Sequence, residues 1–153
     1  MLSIGFQDPE LLSKSEIALI QLNDAISLFV NEHFISSLTL AGSADGVLSG
    51  LLQAKGEMCE AEVSVELFKT FREVLDLDPE IERKPKAEFF REWNQDRNRV
   101  KHHNKNESSS ISINSSDAAY WMLRRALSNA KRLGLEVSLK AQFENWLVKN
   151  VHL

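Results

Sequence analysis

Apolar residues recur along this chain at helical spacing, and no long run alternates apolar with polar as a half-buried strand would. Ser13-Lys14-Ser15-Glu16 has the form of a capping box, in which serine and glutamate side chains each satisfy the other residue's free amide. It opens a first helix that carries Ile17, Ile20 and Leu28 and runs to about Asn31. A second helix is expected over about His33 to Lys55, with Leu38, Ala41, Leu48 and Leu52 on one stripe and Gly56 after its end. A third, about Val63 to Leu77, carries Leu67, Phe68, Phe71 and Leu75 and stops at Asp78-Pro79. Pro85 suits the first turn of a fourth helix, which carries Phe89, Phe90, Trp93 and Val100 and ends near Asn106.

The serine-rich piece ESSSISINSSD, residues 107 to 117, reads as a loop whose final Ser and Asp residues cap the next helix. That fifth helix, about Asp117 to Leu133, turns Leu123, Leu127 and Ala130 inward before Gly134. A short sixth helix shows Leu139, Phe143, Trp146 and Leu147 at i, i+4, i+7 and i+8. No internal repeat or linker divides the chain. The pattern predicts an all-α compact bundle of five to six helices in one domain over residues 1–153, with 1–12 as an N-terminal extension and 107–116 as a mobile loop.

Composition narrows the field. At 153 residues the chain is long enough to bury a core without covalent staples. A net charge of −4 argues against coating nucleic acid through bulk charge, so any such contact must be local. The single cysteine, Cys59, excludes an internal disulfide and suits a reducing cytosol. The opening MLSIGFQDPE lacks the basic start and apolar run of a signal peptide. No uncharged apolar stretch approaches the roughly 18 residues a bilayer span needs. A cytoplasmic protein without membrane contact is expected.

Three features exceed what packing requires. Gly42, Gly46 and Gly50 stand four residues apart, nearly in line along the second helix. A helical glycine costs about 1 kcal/mol relative to alanine, so the row implies close packing, within the subunit or across a dimer. Asp45 lies on the apolar stripe, where a carboxylate needs a partner, structural or catalytic.

The third feature is NQDRNRVKHHNK, residues 94 to 105. Arg97 follows Trp93 by four and precedes Val100 by three, so it shares the seam of its helix, and Asp45 is the obvious candidate acid for it. Asn98 and His102 are four apart and share a helical face. The adjacent His102 and His103 point about 100° apart on a helix, and no nearby carboxylate or cysteine completes a metal-ligand spacing. Such a basic face is either solvated surface or a local site, with Arg97, Arg99, Lys101 and Lys105 as its positive charges.

Arg97-Asn98-Arg99-Val100-Lys101-His102 resembles the R-x4–6-H motif of the HEPN superfamily (higher eukaryotes and prokaryotes nucleotide-binding domains), in which a polar residue, often asparagine, follows the arginine. LTLAGSADGVLSGLLQAKG is similar to the small-residue second helix of some HEPN-like proteins, and AAYWMLRRALSNAKRLGL to a helix after the motif. The resemblance implies an HEPN-like bundle acting as a homodimer, with both motifs in one cleft. Its activity would be metal-independent, cofactor-free endoribonuclease chemistry of toxin–antitoxin or defence systems. Arg97 would hold the scissile phosphate, His102 would serve as general acid or base, and Asn98 would position phosphate or imidazole. Attack by the ribose 2′-hydroxyl would restrict the substrate to RNA. Asp45, Arg99 and His103 would support the site, and His103 makes a longer version of the motif. Some such toxins continue as H-x-Y, whose tyrosine is modified by a partner; that position here is Asn104. The alternative is an inactive HEPN-like module binding a nucleotide, RNA or protein partner. An antitoxin or other regulatory protein is a candidate partner in either case.

Overall fold

The structure, a computed structural model, describes residue 5 and residues 8–75 and 85–151. Among these are seven helices and no strand. They are α1 (Lys14–Val30), α2 (Phe34–Ala54), α3 (Glu60–Leu75), α4 (Lys86–Trp93), α5 (Gln95–Lys101), α6 (Ser115–Arg132) and α7 (Lys140–Asn150). The chain is an all-α helical bundle. Its helix count exceeds the five to six expected, because the fourth predicted helix is two.

Local chemistry sets several of the ends. The Ser13 hydroxyl accepts from the Glu16 amide at 3.1 Å while the Glu16 carboxylate accepts from the Ser13 amide at 2.6 Å, so the capping box is complete. Gly56 and Gly134 follow α2 and α6 with φ of 71°, a left-handed conformation that spares glycine the Cβ clash. Backbone bonds from Glu57 to Leu52 and from Leu135 to Ala130 close the two ends.

The core lies between α1, α2, α6 and α7, where Leu22, Ile26, Phe29, Leu38, Leu48, Leu123 and Phe143 are buried. Alanines 18, 25, 41, 44, 119, 126 and 130 are buried among them, so the helix backbones can approach closely. Phe29 meets Phe34, Phe143 and Trp146 edge to face at 5.1, 5.2 and 4.9 Å. The buried Ser37 hydroxyl donates to the Ala25 carbonyl at 2.7 Å, fixing α2 against α1. By length and composition α2 could cross a membrane. In this fold it packs between α1 and α6 and buries Ser37, Leu38, Ala41, Gly42, Ala44, Asp45, Leu48 and Leu52.

Several expectations need correction. The predicted fourth helix breaks at Asn94, which ends α4 and begins α5 with φ −97° and ψ 1°. Asparagine is a weak helix former, and here its side-chain oxygen accepts from Arg125. The helix also stops at Lys101 rather than near Asn106. His102 is extended (φ −130°, ψ 147°), and beyond it Asn104 and Glu107 close a reciprocal turn, the Asn104 amide donating to the Glu107 carboxylate at 3.1 Å and the Glu107 amide to the Asn104 carbonyl at 3.0 Å.

The apolar stripe of α3 is largely exposed, Leu67 at 64% and Phe71 at 63%, while Val65 takes the buried position. Of that stripe Phe68 meets Phe89 at 5.9 Å. The Leu75 side chain, Leu77 and Asp78-Pro79 fall outside the described residues. The fifth predicted helix begins earlier, at Ser115. Its cap is Asn114 rather than the later Ser and Asp residues, with the Asp117 amide donating to the Asn114 side chain at 3.3 Å.

Candidate functional site

Asp45 is almost fully buried where α2 packs on α6, as its place on the apolar stripe predicts. Its principal partner is Arg125, whose Nε and Nη2 donate to Oδ2 at 3.0 and 2.7 Å. Asn129 donates to Oδ1 at 2.9 Å and also reaches the Ser49 hydroxyl at 3.2 Å. The expected partner, Arg97, stands farther off, with Nη1 4.0 Å from Oδ2. Arg125 wins because its two parallel donors lie on the helix that packs along α2, whereas Arg97 reaches in from the short α5. A buried pair of this kind is costly to break, about 3–5 kcal/mol when one partner is removed.

Arg97 sits over α2. Its Nη1 donates to the Gly42 carbonyl at 3.3 Å, and its aliphatic stem crosses the Gly42 backbone. A Cβ at Gly42 would lie 2.3 Å from Arg97 Cδ and 2.6 Å from Cγ. Among the described residues the glycine row therefore has one close approach inside the subunit, and the approaching group is a side chain; no described residue comes within 4 Å of a Cβ built at Gly46 or Gly50.

Burial pushes the Arg97 guanidinium pKa down, the nearby Arg125 charge pushes it further, and Asp45 opposes both. Arginine nonetheless stays protonated. Its buried Nε has no acceptor among the described residues. Two guanidinium groups thus share one carboxylate.

Both arginines line a cavity of about 670 Å³ bounded by α2 to α6, a size suited to a small ligand or one nucleotide unit. Trp93 of α4 and Trp121 of α6 also line it, with Arg124. Carboxylates at its wall are already engaged: Glu60 with Arg132 at 2.8 Å and Ser128 at 2.6 Å, and Asp96 toward Arg99 at 3.9 Å. Burial raises the Glu60 pKa, but hydrogen bonds from Ser128 and Arg132 outweigh it and hold the carboxyl below its ordinary value.

The remaining motif residues do not join this cavity within one chain. Asn98 and His102 do not share a helical face, because His102 has left the helix. Asn98, His102 and His103 are all exposed. Arg99 donates to the Ser112 carbonyl at 3.5 Å, tethering the serine-rich loop instead. Among the described residues no three His, Cys, Asp or Glu side chains cluster to hold a metal ion.

Arg125, Asn129 and Asn94 escaped the sequence reading. A signal for Asn129 was present, since it stands three after Ala126 and seven after Met122, a polar residue on an apolar seam like Asp45. Arg125 gives no such signal without knowledge of which helix packs on α2. Comparison with family models, curated proteins and solved structures gave no match to this chain.

Proposed function

We infer that the chain is an HEPN-like module that grips RNA phosphate at the Arg97 cleft. One observation carries the reading: Arg97 and Arg125, which share the buried carboxylate of Asp45, line one cavity with Arg124, in a wall that also holds Glu60, Glu92, Asp96 and Asp117. A half-buried guanidinium that lacks a full set of acceptors is a natural partner for a phosphate oxygen. The motif resemblance supplies RNA as the class of ligand, and Arg124, which lines the same cavity, adds a third positive charge. Labelled RNA titrated at several salt concentrations tests this reading. The expected result is salt-sensitive binding that Arg97→Ala weakens. Binding equal in the variant and the parent protein sinks the proposal.

A second reading is metal-independent RNA cleavage by a homodimer, in which His102 of one subunit completes the Arg97 cleft of the other. Its support is that His102 is exposed, with no side-chain hydrogen bond among the described residues. Incubation with RNA in excess EDTA, beside His102→Ala and Arg97→Ala, separates the two. Cleavage lost in both variants establishes the enzyme. Intact RNA that is nonetheless bound leaves the binding module.

A further inference from the structure

Trp121 is 68% exposed, although tryptophan is among the most apolar surfaces a chain can carry. It lies in the α6 stripe Ala118, Trp121, Arg125, Ser128, spaced i, i+3, i+7, i+10, and all four line the cavity. The Trp121 and Arg125 positions are therefore just over one helical turn apart, roughly 6 Å along the axis. It is also braced. Tyr120 meets it edge on at 5.0 Å, and Tyr120 in turn leans on the buried Phe143 at 6.1 Å. A braced, largely exposed indole lining the same cavity as two guanidinium groups matches the way proteins take unpaired nucleic acid: bases stack on rings while cations follow the backbone.

We propose that Trp121 is a stacking platform for an unpaired nucleobase whose flanking phosphate is held by Arg97 and Arg125, so that the ligand is single-stranded RNA. The inference rests on the phosphate reading above and extends it from charge to base. In an A-form duplex the base faces are covered by their neighbours, so an indole in a cleft cannot reach them. Trp93, which lines the same cavity from α4, offers a second apolar surface for the base.

The test is fluorescence anisotropy with a short labelled oligoadenylate, its abasic counterpart and a duplex of equal length, on the full chain. Trp121→Ala should weaken oligoadenylate binding roughly ten- to hundredfold, the usual size of one lost base stack. Trp121→Phe should retain most of the affinity. The abasic strand and the duplex should bind the parent protein and Trp121→Ala alike. Trp121 is largely exposed, so the variant should keep its fold, and circular dichroism checks that. The proposal is overturned if Trp121→Ala leaves oligoadenylate affinity intact while Arg97→Ala lowers it, and the phosphate reading then stands alone. It is also overturned if Trp121→Ala lowers abasic and intact strands equally. No binding of any RNA by the parent protein removes both readings.

Discussion

Where α1, α2, α6 and α7 meet, the contact is apolar and closely fitted, with Phe29 at the centre of three edge-to-face ring pairs and a run of buried alanines between the helices. Where α3, α4 and α5 meet that body, polar links do much of the holding. Glu60 bonds Ser128 and Arg132, Asn129 accepts from the Glu60 amide at 2.7 Å, Arg125 reaches Asn94, and Arg97 lies over Gly42. Apolar burial is non-directional and supplies stability. Hydrogen bonds and ion pairs add less net stability but demand specific geometry. The contrast places a stable scaffold on one side and a cleft of defined polar geometry on the other, with the flank expected to open at lower free energy than the core.

The largest effect should come from the scaffold. Phe29→Ala should cost about 3–5 kcal/mol, read as a lower urea midpoint for the whole chain; a change confined to α3–α5 would break the contrast. Asn129→Ala comes next. It strands the Glu60 amide and one Asp45 oxygen, a loss of about 1–3 kcal/mol, and amide exchange at the start of α3 should quicken more than in α1. If both regions accelerate together, the flank is not a separate unit.

Gly42→Ala tests the cleft. The new Cβ would overlap Arg97 Cγ and Cδ, the middle of a largely buried side chain, so Arg97 must move as a whole and the change should cost about 1–3 kcal/mol despite the better helix former. RNA binding should nevertheless fall toward that of Arg97→Ala. Unchanged affinity would show that the position of Arg97 over α2 is immaterial.

Acid should loosen the flank before the core. Because the folded Glu60 pKa lies below its ordinary value, its stabilising contribution is present above the ordinary carboxylate range and is lost as pH falls through the lower, folded value. Amide exchange across an acid titration should show α3 losing protection first; simultaneous loss in α1 would count against it. The smallest effect is expected for Phe71→Ser on the exposed face of α3, within about 0.5 kcal/mol in thermal unfolding. A much larger loss would mean that this face is covered in the folded protein.

What the sequence by itself determined is whatever depends on near neighbours. The Ser13 capping box, the terminating glycines 56 and 134, the core faces of α2, α6 and α7 and the burial of Asp45 all follow from spacings of a few residues, because the helix repeat places such residues on one face. By contrast, α1 buries Ala18, Leu22, Ala25, Ile26 and Phe29 and leaves Ile20 exposed. Only the tertiary structure decided which distant residues meet. Arg125 rather than Arg97 became the main partner of Asp45, eighty residues away, because α6 packs along α2 and brings a two-donor group alongside it. The same packing drew Asn94 toward Arg125 at the break between α4 and α5. His102 left the helix, and Asn98 and His102, which share a face by their spacing, both ended in open solvent while Arg97 lines the cleft. Periodicity records which side of a helix turns inward; it carries no record of which helix comes to meet it.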